Sequence, residues 1–301
     1  MSTVEIGGRR LGLTNLDKVL WPDAGVTKSK LIEYYVRVAP VLLPHLEGRP
    51  LTLRRFPDGV DGVSWHQNEC RGEPEWFHVF ETRGVGGRRL RFCLAEDLAS
   101  LVWLANQAAI ELHAFQWRID APRRPTTLVF DLDPGPPAEL VASARVGLLL
   151  RDLLAEVGLV AFPKTSGSLG LHLHVPLGAA HDDEELKAFA RAAAATLARR
   201  HPDEVVAEMK KERRAAKVFV DWLQNDATRQ TVAPYSLRGT PWPLVATPVT
   251  WEEVERAAGE GRPELLAFPP DDVIDRIDAQ GDLFAHVLDL QQELPTRPRQ
   301  V

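Results

Sequence analysis

The segment Leu128-Val129-Phe130-Asp131-Leu132-Asp133-Pro134 constrains this chain more than any other. Its apolar residues read as a buried strand, and side chains alternate across a strand. Asp131 and Asp133 therefore share one face, while Phe130 and Leu132 share the other. Pro134 cannot donate to a sheet ladder and ends the strand, which leaves both carboxylates at the rim. Like charges side by side on a buried edge repel each other, and a cation between them removes that cost. This is how a protein holds a divalent metal for phosphoryl transfer. Taken alone, the pair is read more plainly as a solvated loop after a core strand.

A second segment, Lys164-Thr165-Ser166-Gly167-Ser168-Leu169-Gly170-Leu171-His172-Leu173-His174-Val175-Pro176, begins as a polar turn and continues as an alternating strand. Leu171, Leu173 and Val175 take one face, so His172 and His174 take the other. Gly167 and Gly170 let backbone amides approach an anion, and Lys164, Ser166 and His172 are suitable phosphate ligands. A hairpin with two surface histidines is the competing reading. A third segment, Lys217-Val218-Phe219-Val220-Asp221-Trp222-Leu223-Gln224-Asn225, embeds one carboxylate in another apolar strand. A lone Asp in that setting is usually a cap or an ion-pair partner. The three segments in this order are much harder to dismiss together.

On these residues the chain resembles the polymerase domain of bacterial ligase D, a member of the archaeo-eukaryotic primase superfamily used in non-homologous end joining. The family's motifs are hydrophobic-Asp-hydrophobic-Asp-Pro, Ser-Gly-x-x-Gly-x-His and hydrophobic-Asp. They stand here as Phe130 to Pro134, Ser166 to His172, and Val220-Asp221. The similarity runs from about Leu13 to about Glu253 and includes Thr14 to Lys18, Asn106 to His113, and Ala233 to Arg238. Within the family the chain resembles stand-alone forms, since it shows no ligase or nuclease motif.

Composition fits, with one complication. At 301 residues and 45% hydrophobic, the chain can bury one large core or two modest ones. It has no long apolar run and no charged-then-apolar N-terminus, so a cytoplasmic, nucleoid-associated protein with no membrane partner is expected. Cys70 and Cys93 are too few and too separated for a disulfide scaffold or a cysteine-rich zinc site. The net charge of −6 argues mildly against a nucleic-acid binder. However, Arg54-Arg55, Arg83 to Arg91 and Lys210 to Lys217 are locally basic, and the acids gather elsewhere. A basic cleft on a mildly acidic body is expected.

The element pattern predicts an α/β (α+β) fold. Thr27 is placed to cap a helix through Leu31, Tyr34, Tyr35 and Val38 toward Pro44. Strands are expected near Leu51–Phe56, Trp76–Glu81, Leu90–Leu94 and Ile110–Trp117, with a helix carrying Leu98, Leu101, Val102 and Ala105. Asp120 to Pro125 reads as a junction. Beyond it come a strand, a long helix (Ala138–Val157), a strand, a hairpin strand, a helix (Glu184–Arg200), a second helix and a strand. The resemblance implies an RRM-like catalytic sheet, packed against an N-terminal α/β half. The expected division is residues 1–120, 121–250 and 251–301, the last a helical, acidic tail that packs on the body and then frays past its prolines, Pro298 included.

The resemblance also implies the chemistry. Asp131, Asp133 and Asp221 become the catalytic metal ligands. Two ions lie about 3.5–4 Å apart, Asp131 and Asp133 bridging them and Asp221 completing the one nearer the primer. Carboxylate and water ligands suit manganese or magnesium, and the resemblance favours Mn2+. Lys164, Ser166, His172 and Arg238 become contacts to the triphosphate of an NTP or dNTP, and His113 a contact to its sugar. Asn15, Lys18 and Lys28 match positions that grip a 5′ phosphate on DNA at a gap or end, with Lys28 in the first turn of its helix. Trp65 falls where relatives stack a phenylalanine on the template base. One departure is Asn68, where many relatives carry a lysine. The expected function is templated addition of ribo- or deoxynucleotides in end joining or excision repair, alongside a separate ligase and a Ku-like end binder. The rivals are a metal-dependent phosphoesterase or nuclease and a catalytically idle DNA-end scaffold.

Overall fold

Leu128, Val129, Phe130 and Leu132 are completely buried, because the Thr127–Pro134 strand lies in the middle of a five-stranded sheet. The computed structural model describes residues 2–295. Cα packing separates the chain into two units: residues 1–120, 230–245 and 269–281 form the first, and 121–229, 246–268 and 282–301 the second. The division differs from the contiguous one expected. Gln230–Val232 pairs with Ala109–Phe115, which draws the Arg238 segment into the first unit. The tail is shared, and Pro298 with the chain end lies outside the described residues.

In the second unit the strands run in the order Phe162–Thr165, Leu171–Pro176, Thr127–Pro134, Val218–Asp221, Val205–Val206. All pairs are antiparallel except the last. Helices Leu140–Ala155 and Asp183–Arg200 pack on this sheet. Gly147 allows the first of them a close approach, since a Cβ there would meet Leu171 Cδ2 at 2.7 Å. The second is well terminated: the Asp182 side chain accepts from the Glu184 N–H, acids fill the first turn and Arg199 and Arg200 the last. No second full helix follows it. Pro202 cannot continue the helix, and Val205–Val206 instead adds to the sheet beside Val218–Phe219, with a short 3-10 turn at Lys211–Arg213. Near the C-terminal end Phe284 is buried with its ring edge-on to His174 at 5.2 Å, and Gln292 hydrogen-bonds the Val160 backbone in both directions.

The first unit is built on a six-stranded sheet ordered Gln230–Val232, Ala109–Phe115, Leu51–Arg55, Arg89–Cys93, Val79–Arg83, with Trp65–Gln67 paired to Leu51–Arg55. Helix Lys28–Leu46 packs on Leu98–Asn106, and Pro270–Gln280 packs on it in turn. Two expectations shift. The strand predicted at Trp76–Glu81 starts at Val79, because Phe77 closes a turn onto Pro74 and its ring packs against Trp103 at 4.6 Å. Cys70 and Cys93, set aside as too separated, are joined as a disulfide with Cα atoms 4.9 Å apart. The Cys70 N–H donates to the Arg91 carbonyl, which lays its loop along the strand carrying Cys93.

Candidate active site and nucleic-acid face

Sheet register assembles the carboxylates. Asp131 stands directly opposite Asp221 on one side and His172 on the other. Residues directly opposite in antiparallel strands project to the same face, and so do residues two apart. His172, Asp131, Asp133 and Asp221 thus share one face of three adjacent strands. The Asp131 carboxylate is reached by His172 Nε2 at 3.2 Å and by Gln224 Nε2 at 3.2 Å. Asp221 caps the turn that follows it, accepting from the Leu223 N–H at 2.9 Å. Burial pushes the Asp221 carboxyl upward and the Asp131 charge adds to that. The Leu223 N–H and the charges of Arg229 and Arg214 oppose the rise without cancelling it.

These are hard oxygen donors on neighbouring strands, with one carboxyl destabilised by another, so their chemistry fits a divalent cation. The side chains are not drawn into a closed cage. Among the described residues no three His, Cys, Asp or Glu groups are gathered tightly enough to hold a metal by themselves.

The glycine turn lies against the same strand. Ser166 Oγ accepts from the N–H groups of Ser168 and Gly170, at 3.2 and 3.0 Å, and so shapes the turn. Gly167 holds φ at +69°, and a Cβ on Gly170 would lie 2.9 Å from the Leu132 carbonyl and 3.6 Å from Asp133 Oδ1. Lys164 is fully buried, and its ammonium lies 3.1 Å from His172 Nδ1. A lysine can only donate, so Nδ1 accepts and Nε2 carries the hydrogen that faces Asp131. Lys164 thereby orients His172. His174 points into Phe284 and belongs to the core.

The remaining predicted residues lie in the first unit. Asn15 has a left-handed φ of 52°, Lys18 N–H donates to its carbonyl at 3.1 Å, and Lys28 N–H donates to the Lys18 carbonyl at 2.8 Å. Asn15, Lys18 and Lys28 are thus one backbone cluster at the start of the Lys28–Leu46 helix. Lys28 is nearly buried, with Nζ 3.3 Å from Thr14 Oγ1. Burial lowers its pKa, and the charges of Lys18 and Arg55 lower it further. A buried cation whose charge is disfavoured by burial and by neighbouring cations would be stabilised by an anion. Thr27 sits at the N-cap position without a capping hydrogen bond; its hydroxyl is 2.8 Å from that of Ser29. Trp65 is 42% exposed, with the Arg55 guanidinium 5.5 Å over its ring, and Asn68 is exposed in the following loop.

Sequence reasoning missed Glu111. This carboxylate is 1% exposed and faces Arg54 across the sheet, accepting from it at 3.2 Å. It also meets His113 Nε2 at 2.8 Å, the Gly239 N–H at 2.9 Å and Arg238 Nε at 3.5 Å. Burial alone would raise its pKa, but His113, the Arg238 charge and the Gly239 N–H bring it down to about 2. Gln224 and Asn225 were also passed over. Asn225 is fully buried and hydrogen-bonds both the N–H and the carbonyl of Val129 at 2.8 Å, bracing the Asp131 strand.

A mixed α/β fold with this carboxylate rim defines a primase-polymerase type of domain. The family described as LigD, primase-polymerase domain, matches residues 27–284, and the chain belongs to that family. It is 41% identical over 285 residues to the multifunctional non-homologous end joining DNA repair protein LigD of Mycobacterium tuberculosis (H37Rv), covering 92% of this chain and 37% of that protein. The bifunctional non-homologous end joining protein LigD of Bacillus subtilis (strain 168) is 33% identical over 276 residues, covering 91% of this chain and 44% of that protein. The chain thus spans less than half the length of either relative. Among solved structures, the polymerase domain from Mycobacterium tuberculosis ligase D in complex with DNA superposes with a TM-score of 0.86 at 40% identity. That match covers 94% of this chain and 99% of the other. No described helix is long and apolar enough to cross a membrane.

Proposed function

We propose that this protein is a template-dependent polymerase that adds ribo- or deoxynucleotides to a DNA 3′ end at short gaps or breaks, in end joining or excision repair. The observation that carries this reading is the placement of Asp131, Asp133 and Asp221 on one face beside the Ser166–Gly170 turn. Membership of a family whose solved relative is described in complex with DNA supports it. Asp131, Asp133 and Asp221 would hold two divalent ions, with manganese preferred over magnesium. When bound, such ions make a hydroxyl more nucleophilic and neutralise charge developing on a triphosphate.

The chain's own groups do the positioning. Lys164 and Gln224 hold His172 and Asp131 in place. Ser166 and the Gly167–Gly170 amides offer hydrogen-bond donors to phosphate oxygens. Asn15, Lys18 and Lys28 receive a 5′ phosphate, Trp65 stacks on a template base, and His113 and Arg238 contact the nucleotide. A Ku-like end binder and a separate ligase are the partners that such a reaction calls for.

The test is extension of a primer facing a short gap with a 5′-phosphorylated downstream strand, in manganese, with ribo- and deoxynucleotides in separate tubes. Templated lengthening that Asp131→Ala abolishes is expected. Tight gap binding with no lengthening would favour a scaffold, and shortening of the primer would favour a nuclease.

A further inference from the structure

One edge of the Leu51–Arg55 strand is divided between two neighbours. Leu51 pairs with Cys93 of the Arg89–Cys93 strand, whereas Leu53, Arg54 and Arg55 pair with Gln67, His66 and Trp65. Ala109–Phe115 covers the other edge from Leu51 to Arg55. The Trp65–Gln67 strand therefore takes over the free edge at the point where Arg89–Cys93 leaves it. Cys70 follows Gln67 by three residues, and its disulfide to Cys93 is made at this split.

The strand carrying Trp65 needs that tie. It has three residues, two of them exposed, so it buries little to offset the entropy of ordering it. Its other restraints come from Arg55, which donates to Gln67 Oε1 at 2.9 Å and lies 5.5 Å over the Trp65 ring. Just beyond it, Glu69 pairs with Arg71 and Arg88, whose side chains are exposed, and pairs of that kind contribute little. Between Gln67 and Val79 there is no strand or helix. The bridge joins the chain's two cysteines, both buried, and closes this irregular segment back onto the sheet.

We propose that Cys70 and Cys93 are a reversible thiol–disulfide site that holds the Trp65–Gln67 strand on the sheet when oxidised and releases it when reduced. Its redox state then sets how firmly Trp65 is presented to an unpaired template base. That consequence rests on the polymerase reading; the release of the strand does not. In reduction, a thiolate of a small dithiol attacks one cystine sulfur and forms a mixed disulfide. Its second thiolate closes the dithiol's own S–S bond and expels the other cysteine. Two electrons and two protons thus pass to the pair, leaving two S–H groups. A low-molecular-weight disulfide reverses the exchange and leaves as two thiols. Because both cysteines are buried, attack waits for the segment between Gln67 and Val79 to lift, an opening that disrupts no other element.

Intact mass after alkylation with N-ethylmaleimide counts the free thiols. None is expected after glutathione disulfide and two after dithiothreitol, without denaturant. Free thiols that persist in glutathione disulfide, or a bridge that opens only in denaturant, would overturn the site. Hydrogen exchange read by mass spectrometry reports on the strand. Residues 62–76 are expected to exchange faster after reduction, with Thr127–Pro134 unchanged; equal exchange of 62–76 in both states would overturn the release. Fluorescence anisotropy on gapped DNA with unpaired template bases gives the last comparison. Reduction is expected to weaken binding about fivefold, the lower end for one stacked base. Cys70→Ser should bind like the reduced wild type and ignore the reductant, and Trp65→Ala should bind equally in both states. Equal binding by the two wild-type states would overturn the template consequence. Faster exchange in a protein that binds this DNA in neither state would remove the polymerase reading and leave the thiol site standing.

Discussion

Two carboxylate environments of this molecule, one buried and one half-buried, are opposites. Glu111 in the first unit is surrounded by donors and cations, and its pKa falls to about 2. Asp221 in the second unit faces Asp131 across the sheet, and burial together with that charge raises its pKa. The first is complete in the protein as it stands. The second keeps two like charges opposite one another, an arrangement that costs stability and that the proposed divalent cation would relieve. Burial alone does not decide what a carboxyl can do; the sign of its neighbours does, and the proposed metal-binding role of Asp221 rests on that difference.

The largest effect that would break this contrast is on turnover. Asp133→Ala, at an exposed position of the rim, is expected to lower primer extension at least about a hundredfold while the unfolding midpoint stays near the wild-type value. Near-normal extension at saturating manganese would remove the rim from catalysis. Glu111 is expected to act on stability. Its folded pKa lies below its unfolded value near 4.5, so the stability it confers is present above that value and is lost as pH falls toward about 2. The loss amounts to about 3 kcal/mol by pH 2, of which about 2 kcal/mol falls between pH 6 and pH 3. Denaturant titrations at pH 6 and pH 3 should show the difference, and Glu111→Gln should flatten it. An unchanged slope in the variant would deny Glu111 its cationic surroundings.

The next prediction sharpens the comparison through an anion site. Lys28→Ala should weaken binding to gapped DNA with a 5′ phosphate by about tenfold or more and leave unphosphorylated DNA nearly unaffected, as read by fluorescence anisotropy. Equal losses on both would return Lys28 to a purely structural role. The smallest effect concerns Asp221. Its folded pKa is raised, so the folded state binds more protons than the unfolded one between the two values, and its contribution to stability declines as pH rises through that window. Without added metal, Asp221→Asn should raise stability by about 0.2–1 kcal/mol. A loss of stability would mean that Asp221 is already balanced.

The rim was legible because alternation needs only a short window. Asp131, Asp133, His172 and Asp221 each sit at a fixed phase within an apolar strand, so the face followed from local sequence. Pairing those strands with one another came from the family pattern. Glu111 was illegible because its partners Arg54 and Gly239 lie 57 and 128 positions away. Only the register Arg54 opposite Glu111 and the approach of the Arg238 segment bring them together. The same cause hid the Cys70–Cys93 bridge, 23 residues apart, and the Val205–Val206 edge strand, whose existence depends on a partner already in place. The burial of Lys164 against His172 could not be read from a lysine before a glycine turn.

The most direct measurement is manganese binding by electron paramagnetic resonance, in which the free-ion signal falls as ions bind. The wild type should take up manganese, Asp131→Ala with Asp133→Ala should abolish the uptake, and Glu111→Gln should leave it unchanged. Equal uptake by the wild type and the double variant would contradict the assignment of the rim as the metal-binding face.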